Sequence, residues 1–149
     1  MSQMFTRFSV EIDAPPKAVW AMLTDPNLTR QYMFGCEVVT DWKVGSRCDW
    51  RGTYDGKTMT FVVGKVVSYR PNELLEYTTF DPNGGLEDTP ANHVTMSARI
   101  VERAGGCRLE LSQGDFSTVQ NGAARFADAQ KGGHETLDKM KSVAESLKV

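Results

Sequence analysis

The stretch IDAPPKAVWAMLTDP, residues 12–26, changes from one backbone period to another within a few residues. Up to Ile12, the residues Thr6, Phe8, Val10 and Ile12 alternate with Arg7, Ser9 and Glu11, and the first set makes the more apolar face of a strand running from Phe5 to Ile12. Beyond the break, Val19, Trp20, Met22 and Leu23 recur at helical spacing. Between them stand Pro15 and Pro16. Proline has no backbone donor and fixes φ near −65°, which suits the first turn of a helix and not a central strand. Thr24-Asp25-Pro26 then stops the helix and offers a cap for a second one, Asn27 to Met33, ending at Gly35.

After Cys36 the pattern becomes strands punctuated by turn residues. Glu37 to Trp42 and Arg47 to Tyr54 read as strands, and Asp55-Gly56 is a strong hairpin signal. Thr58 to Tyr69 is long and β-branched, with Gly64 inside it, where a bulge or sharp bend is expected. The turn Arg70-Pro71-Asn72-Glu73 leads into Leu74 to Phe80, and a polar loop spans Asp81 to Asn92. His93 to Glu102 and Cys107 to Gln113 make a last hairpin around Arg103-Ala104-Gly105-Gly106.

From Ala123 to Leu147 there is no proline, and Leu137, Met140, Ala144 and Leu147 recur at intervals of three and four. About 25 residues at 1.5 Å each would give a helix on the order of 37 Å long. The pair Gly132-Gly133 either weakens its middle or marks its true start.

The bulk composition narrows the function classes. A chain of 149 residues is a single domain, spanning 1–149, able to bury a core without metals or disulfides. A net charge of −2, with scattered basic residues, gives no electrostatic basis for nucleic-acid or anionic-membrane binding. No segment has the length or apolarity of a signal peptide or membrane span, so the cytoplasm is the expected location. Cys36, Cys48 and Cys107 are odd in number and widely spaced, which reads as reduced, half-buried thiols.

The order is thus one strand, two short helices, about six strands, then one long helix. Antiparallel strands joined by short turns cannot cover both faces of their sheet, so the amphipathic helix must lie along one apolar face. The expected class is α+β: a curved antiparallel sheet of six or seven strands wrapped around a long C-terminal helix. A gap left between sheet and helix would be a natural small-molecule site.

Specific motifs accompany this order. Ala14 to Pro26 fits A-P-P-x-x-V-W-x-x-L-T-D-P; Gly64-Lys65-Val66, Pro71 and Leu75-Glu76-Tyr77-Thr78 follow at fitting positions. In these the chain resembles the START-like, or SRPBCC, helix-grip superfamily, in the branch named after the activator of the heat-shock-chaperone ATPase. TDWKVGS (residues 40–46) and LEDTPANH (residues 86–93) resemble a bacterial stand-alone subgroup of it. The chain departs from that pattern at His134, where an aromatic usually follows the glycine, and at Gln113, where many members carry histidine. The resemblance implies the fold strongly. It leaves function among lipid carriers, receptors, cyclases and chaperone activators.

No H-E-x-x-H, phosphate loop, G-x-S-x-G or zinc-spaced cysteine cluster is present, so neither cofactor, metal nor catalytic constellation is assigned. In the segment Asp49-Trp50-Arg51, strand alternation sends Trp50 to one face and both charges to the other. Trp50 inward makes a pocket wall and leaves Asp49 with Arg51 as an exposed pair; the reversed register would put both charges in the cavity. Tyr77 shares a face with Leu75 and Thr79, and Gln113 with Leu109 and Leu111. The Tyr77 hydroxyl and Gln113 amide are isolated polar groups of the kind that orient a ligand, or else satisfy each other. Phe126 is a further lining residue. His134, on the closing helix, either meets the ligand or substitutes a solvent-tipped imidazole for an aromatic. The ligand-binding set is therefore Trp50, Tyr77, Thr79, Leu111, Gln113, Phe126 and His134. The loop 81–92 is long enough for a lid, with Glu87 and Asp88 able to receive a cation.

These residues point to binding of a small apolar or amphipathic ligand. The alternatives are a cyclase-, dehydratase- or hydrolase-type enzyme working through His134, Tyr77 and Asp49, and a module regulating a chaperone ATPase. A homodimer stays open.

Overall fold

Among its described residues, 4–33 and 35–147, the computed structural model has eight strands and three α-helices. They are β1 (Thr6–Ile12), α1 (Pro16–Thr24), α2 (Pro26–Thr29), β2 (Glu37–Thr40), β3 (Cys48–Tyr54), β4 (Lys57–Val62), β5 (Val66–Arg70), β6 (Leu74–Thr79), β7 (Val94–Arg103), β8 (Gly106–Gly114) and α3 (Gly122–Ser146). No helix among them is long and apolar enough to cross a membrane.

The proline junction does what its chemistry dictates. Pro16 occupies the first turn of α1, and the Pro15 carbonyl takes the first two amides, from Ala18 (3.0 Å) and Val19 (3.3 Å). Because Pro15 and Pro16 have no amide hydrogen, the chain leaves β1 and enters the helix with two fewer donors to satisfy. α1 buries Ala18, Val19, Trp20, Met22 and Leu23. Fully burying one such side chain stabilises the fold by roughly 1.5–3 kcal/mol. At its end the Asp25 carboxylate accepts from Asn27 N (2.9 Å) and caps α2. α2 is only four residues long, shorter than its sequence suggests. Tertiary bonds win there: Tyr32 donates its hydroxyl to Met22 O (2.9 Å), and buried Thr29 accepts from Val38 N (3.1 Å).

The strands are antiparallel throughout and fall into two groups, β1-β8-β7-β6-β5 and β2-β3-β4. The division lies at Gly64, inside the long apolar run that reads as one bent strand. There β4 leaves one group and β5 enters the other. The two stay joined by bridges Arg47–Lys65 and Val63–Phe80, and by Cys48 N donating to Gly64 O (2.8 Å). A Cβ on Gly64 would lie 1.7 Å from the Thr78 carbonyl oxygen, so no other residue permits this corner. Asp55 and Gly56 both take positive φ, 52° and 77°, as a tight hairpin turn requires.

One core lies between the concave sheet, α1 and the second half of α3; Ile12, Val19, Met22, Leu75, Leu109, Leu137, Met140 and Ala144 are its sealed centre. A smaller one, Cys36, Val38, Cys48, Trp50 and Val66, fills the angle between the two strand groups. The three cysteines are free and buried in these cores. α3 runs unbroken through Gly132-Gly133, and Gly133 rests on the Phe8 ring of β1.

Candidate functional site

The strand registers lay out the concave face as rows. One row is Thr6, Gln113, Met96, Tyr77 and Val66; the next is Phe8, Leu111, Ala98, Leu75 and Tyr69. The sealed and unsealed parts of this face differ sharply. Leu75, Ala98 and Leu109 are 1 % exposed or less. Tyr77, Thr79, Met96, Leu111 and Gln113 are only half-buried, although they face the inside of the molecule. The helix explains the contrast. Every fully buried residue of α3 lies in its second half, from Leu137 to Ala144, whereas Arg125, Phe126, Ala129, Gly133 and Thr136 of the first half are half-buried. α3 is sealed against the core only over its second half; along its first half it touches Phe8 through Gly133 and Phe116 through Phe126, and its inner residues stay half-buried.

At that unsealed end the aromatic wall is Trp50, 2 % exposed, whose ring lies 5.8 Å from that of Tyr77. From the helix side Phe126 packs edge-on to Phe116 at 5.8 Å. Gln113 Nε2 donates to Thr79 Oγ1 (3.0 Å), and Thr79 Oγ1 donates to Val94 O (3.1 Å). Gln113 and Tyr77 thus do not satisfy each other. The Tyr77 hydroxyl has no hydrogen-bond partner among the described residues. Burial raises its pKa well above the ordinary value, with Cys48 and Tyr32 adding to the effect. A half-buried hydroxyl without a protein partner is free to pair with water or with a bound molecule.

Of the seven residues picked from sequence, the fold brings Trp50, Tyr77, Thr79, Leu111 and Gln113 to this concave face and sets Phe126 on the facing helix. His134 is not among them: it is exposed and rests edge-on against Phe8 at 4.9 Å. Trp50 points inward as alternation predicts, but Asp49 pairs with Arg47 (3.2 Å) and not with Arg51. Residues two apart on one strand share a face, and Arg51 sits opposite Glu37 in the register. His134, Tyr77 and Asp49 occupy three different surfaces. In the loop, Asp88 is engaged by His93 Nε2 (2.6 Å), whose other nitrogen lies 3.3 Å from Thr78 Oγ1 and whose ring stacks on Phe80. Buried Asn92 donates to Glu87 O (2.8 Å) and accepts from Gln120 N (3.2 Å), pinning the loop to the approach of α3.

Three contributors escaped sequence reasoning. Met96 follows once the hairpin register pairs it with Tyr77 and Gln113. Arg125 lies on the inner helix face; steps of four back from Leu137 pass through 133 and 129 to 125. Its Nη1 is shut off from solvent and makes no hydrogen bond among the described residues. Burial lowers the pKa of this guanidinium, opposed by the charge of Asp81. Asn92 shows no signal outside its motif.

Two hollows open to solvent. One, of about 390 Å³, lies between Arg7, Phe8, Ser9, Ser97, Arg99, Glu110, Leu111 and Ser112; the other, about 260 Å³, lies between residues 13–16 and 102–106. Both are open, and each mixes polar and apolar groups in its walls, so neither has the predominantly apolar lining of a buried ligand site.

Residues 13–145 match the family described as Activator of Hsp90 ATPase homolog 1-like protein. The chain belongs to this family. Among curated proteins there is no significant match. Among solved structures, ChR145 of Cytophaga hutchinsonii is 27% identical with a TM-score of 0.77, over 98% of this chain and 97% of that one. MLL2253 of Mesorhizobium loti is 19% identical with a TM-score of 0.75, over 97% and 99%. CalU16 of Micromonospora echinospora is 20% identical with a TM-score of 0.68, over 94% and 75%. The latter two share the fold. The helix-grip architecture expected from the motifs is therefore the architecture of this Activator of Hsp90 ATPase homolog 1-like chain.

Proposed function

We propose that the protein holds a small, mainly apolar molecule between the first half of α3 and the concave sheet. The observation that carries this reading is the division of one inner face into a sealed half and an unsealed half, with an unpaired tyrosine hydroxyl in the latter. A core built only for stability would gain by closing that space, since packed interiors leave few voids. Here aromatic and aliphatic side chains supply the apolar contact, at about 25 cal/mol per Å² of ligand surface before the costs of association. Tyr77 supplies a free donor, and Gln113 and Thr79 a fixed polar edge.

The test is a two-dimensional ¹⁵N NMR titration of the full chain with 1-decanol. Shifts should cluster at Tyr77, Thr79, Met96, Gln113 and Phe126. Shifts gathered instead at Arg7, Ser97, Arg99 and Glu110 would place binding in the open hollow they line and overturn the reading.

A further inference from the structure

We infer that the molecule held at this site carries a single carboxylate, which Arg125 receives at the unsealed end. This rests on the reading above and adds the chemical class of the ligand.

Arg125 stands in the first turn of α3, on the face that looks towards the sheet. Its Nη1 is fully shielded from solvent and unpartnered among the described residues. A guanidinium is always charged, and a buried donor on it left without an acceptor is costly. Asp81, two residues beyond Thr79, is near enough to act on Arg125 electrostatically, yet no ion pair forms between them. The Asp81 Oδ1 is already engaged by Asn83 N (2.8 Å). So the guanidinium lies on the inner face of α3, within electrostatic reach of Asp81 just beyond β6, and its Nη1 has no acceptor among the described residues.

The rest of the wall fixes the charge. Thr6, Gln113, Met96, Tyr77, Val66 and Thr79 are all uncharged. One guanidinium, partly offset by Asp81, balances a monoanion and not a dianionic phosphate. The planar fork of arginine matches a carboxylate in two-point contact, and the Tyr77 hydroxyl is a second donor on the same wall. The ligand is then an amphipathic acid, with its apolar body against Trp50, Met96 and Phe126 and its head towards α3.

The experiment is calorimetric titration of the full chain with decanoate, 1-decanol and decyl phosphate, on wild type, Arg125→Gln and Arg125→Lys, with thermal unfolding of each unliganded protein. Wild type should prefer decanoate to both other probes. Arg125→Gln should weaken decanoate about 10- to 100-fold, as loss of a charged hydrogen bond does, and leave 1-decanol within roughly twofold. Arg125→Lys should recover part of the loss. Unliganded Arg125→Gln should melt no lower than wild type, because it removes a partly buried charge whose Nη1 has no partner among the described residues. A merely structural arginine predicts the opposite sign: Arg125→Gln and Asp81→Asn would each lower the melting temperature and would weaken all three probes alike. That result overturns the proposal, as does tighter binding of decyl phosphate than of decanoate. Should 1-decanol bind as well as decanoate, the carboxylate assignment fails and the apolar site stands; should none of the three bind, both fall.

Discussion

Replacing the two adjacent glycines of α3 by alanine, one at a time, separates helix propensity from helix docking. Both lie inside a continuous helix, so each Gly→Ala change gains about 1 kcal/mol of helix propensity. Around a Cβ on Gly132 there is nothing within 4 Å, so that gain stands alone. A Cβ on Gly133 would lie 2.2 Å from Phe8 Cζ and 2.3 Å from Cε2, well inside van der Waals contact. The Phe8 ring or the helix must then move by more than about 1 Å, and overpacking of this kind costs about 1–3 kcal/mol. Because the propensity gain is common to both variants, their difference is the clash alone. For a chain of this size 1 kcal/mol shifts Tm by roughly 2–4 °C. Gly132→Ala should therefore melt a few degrees above wild type, and Gly133→Ala about 2–12 °C below Gly132→Ala. Scanning calorimetry on the three proteins decides it. Equal stabilisation by both substitutions would refute the close approach of α3 to β1 at Phe8. It would also remove the contact that anchors α3 along the β1 edge of the sheet.

Two further outcomes follow from the electrostatics. Burial raises the pKa of all three thiols, that of Cys48 to about 12, so a thiol reagent at neutral pH should label none of them quickly in native protein and all three after denaturation. Rapid native labelling of Cys48 would contradict its burial. Asp115 is held below the ordinary carboxylate range, first by the Ser117 hydroxyl and then by the amides of Met4 and Ser117; Glu145 is held down first by Lys141 and then by Asp13 N. A depressed folded-state pKa stabilises the protein above the unfolded carboxylate value, and that contribution is lost as pH falls through the folded one. The urea midpoint should thus drop on acidification below about pH 4, and less steeply in Asp115→Asn. An identical slope in that variant would dismiss Asp115 as a contributor.

Much of the fold was legible because each decisive feature was local. Pro15-Pro16, Asp55-Gly56 and the spacing from Leu137 to Leu147 are statements about φ, donors and periodicity, and they survive without knowledge of neighbours. The division of the Thr58–Tyr69 run into two strands was visible as an expected bend at Gly64. Its cause, contact with the Thr78 backbone, was not. The same limit governs the site. Strand alternation was enough to turn Trp50 inward and to group Tyr77 with Thr79. It could not say that Asp49 would choose Arg47, that His134 would settle on Phe8, or that Gly133 packs while Gly132 faces solvent. Those outcomes depend on where α3 crosses the sheet. Arg125 was hidden for a related reason: an arginine near a helix start reads as a solvated charge until its surroundings are known.

The central claim, an occupied space under the first half of α3, is tested most directly by native mass spectrometry of the freshly purified protein beside its denatured mass. A reproducible added mass that disappears on denaturation, belongs to an amphipathic acid, and is lost from Arg125→Gln is the expected result. A bare protein mass under native conditions, unchanged after incubation with decanoate and 1-decanol, would contradict it.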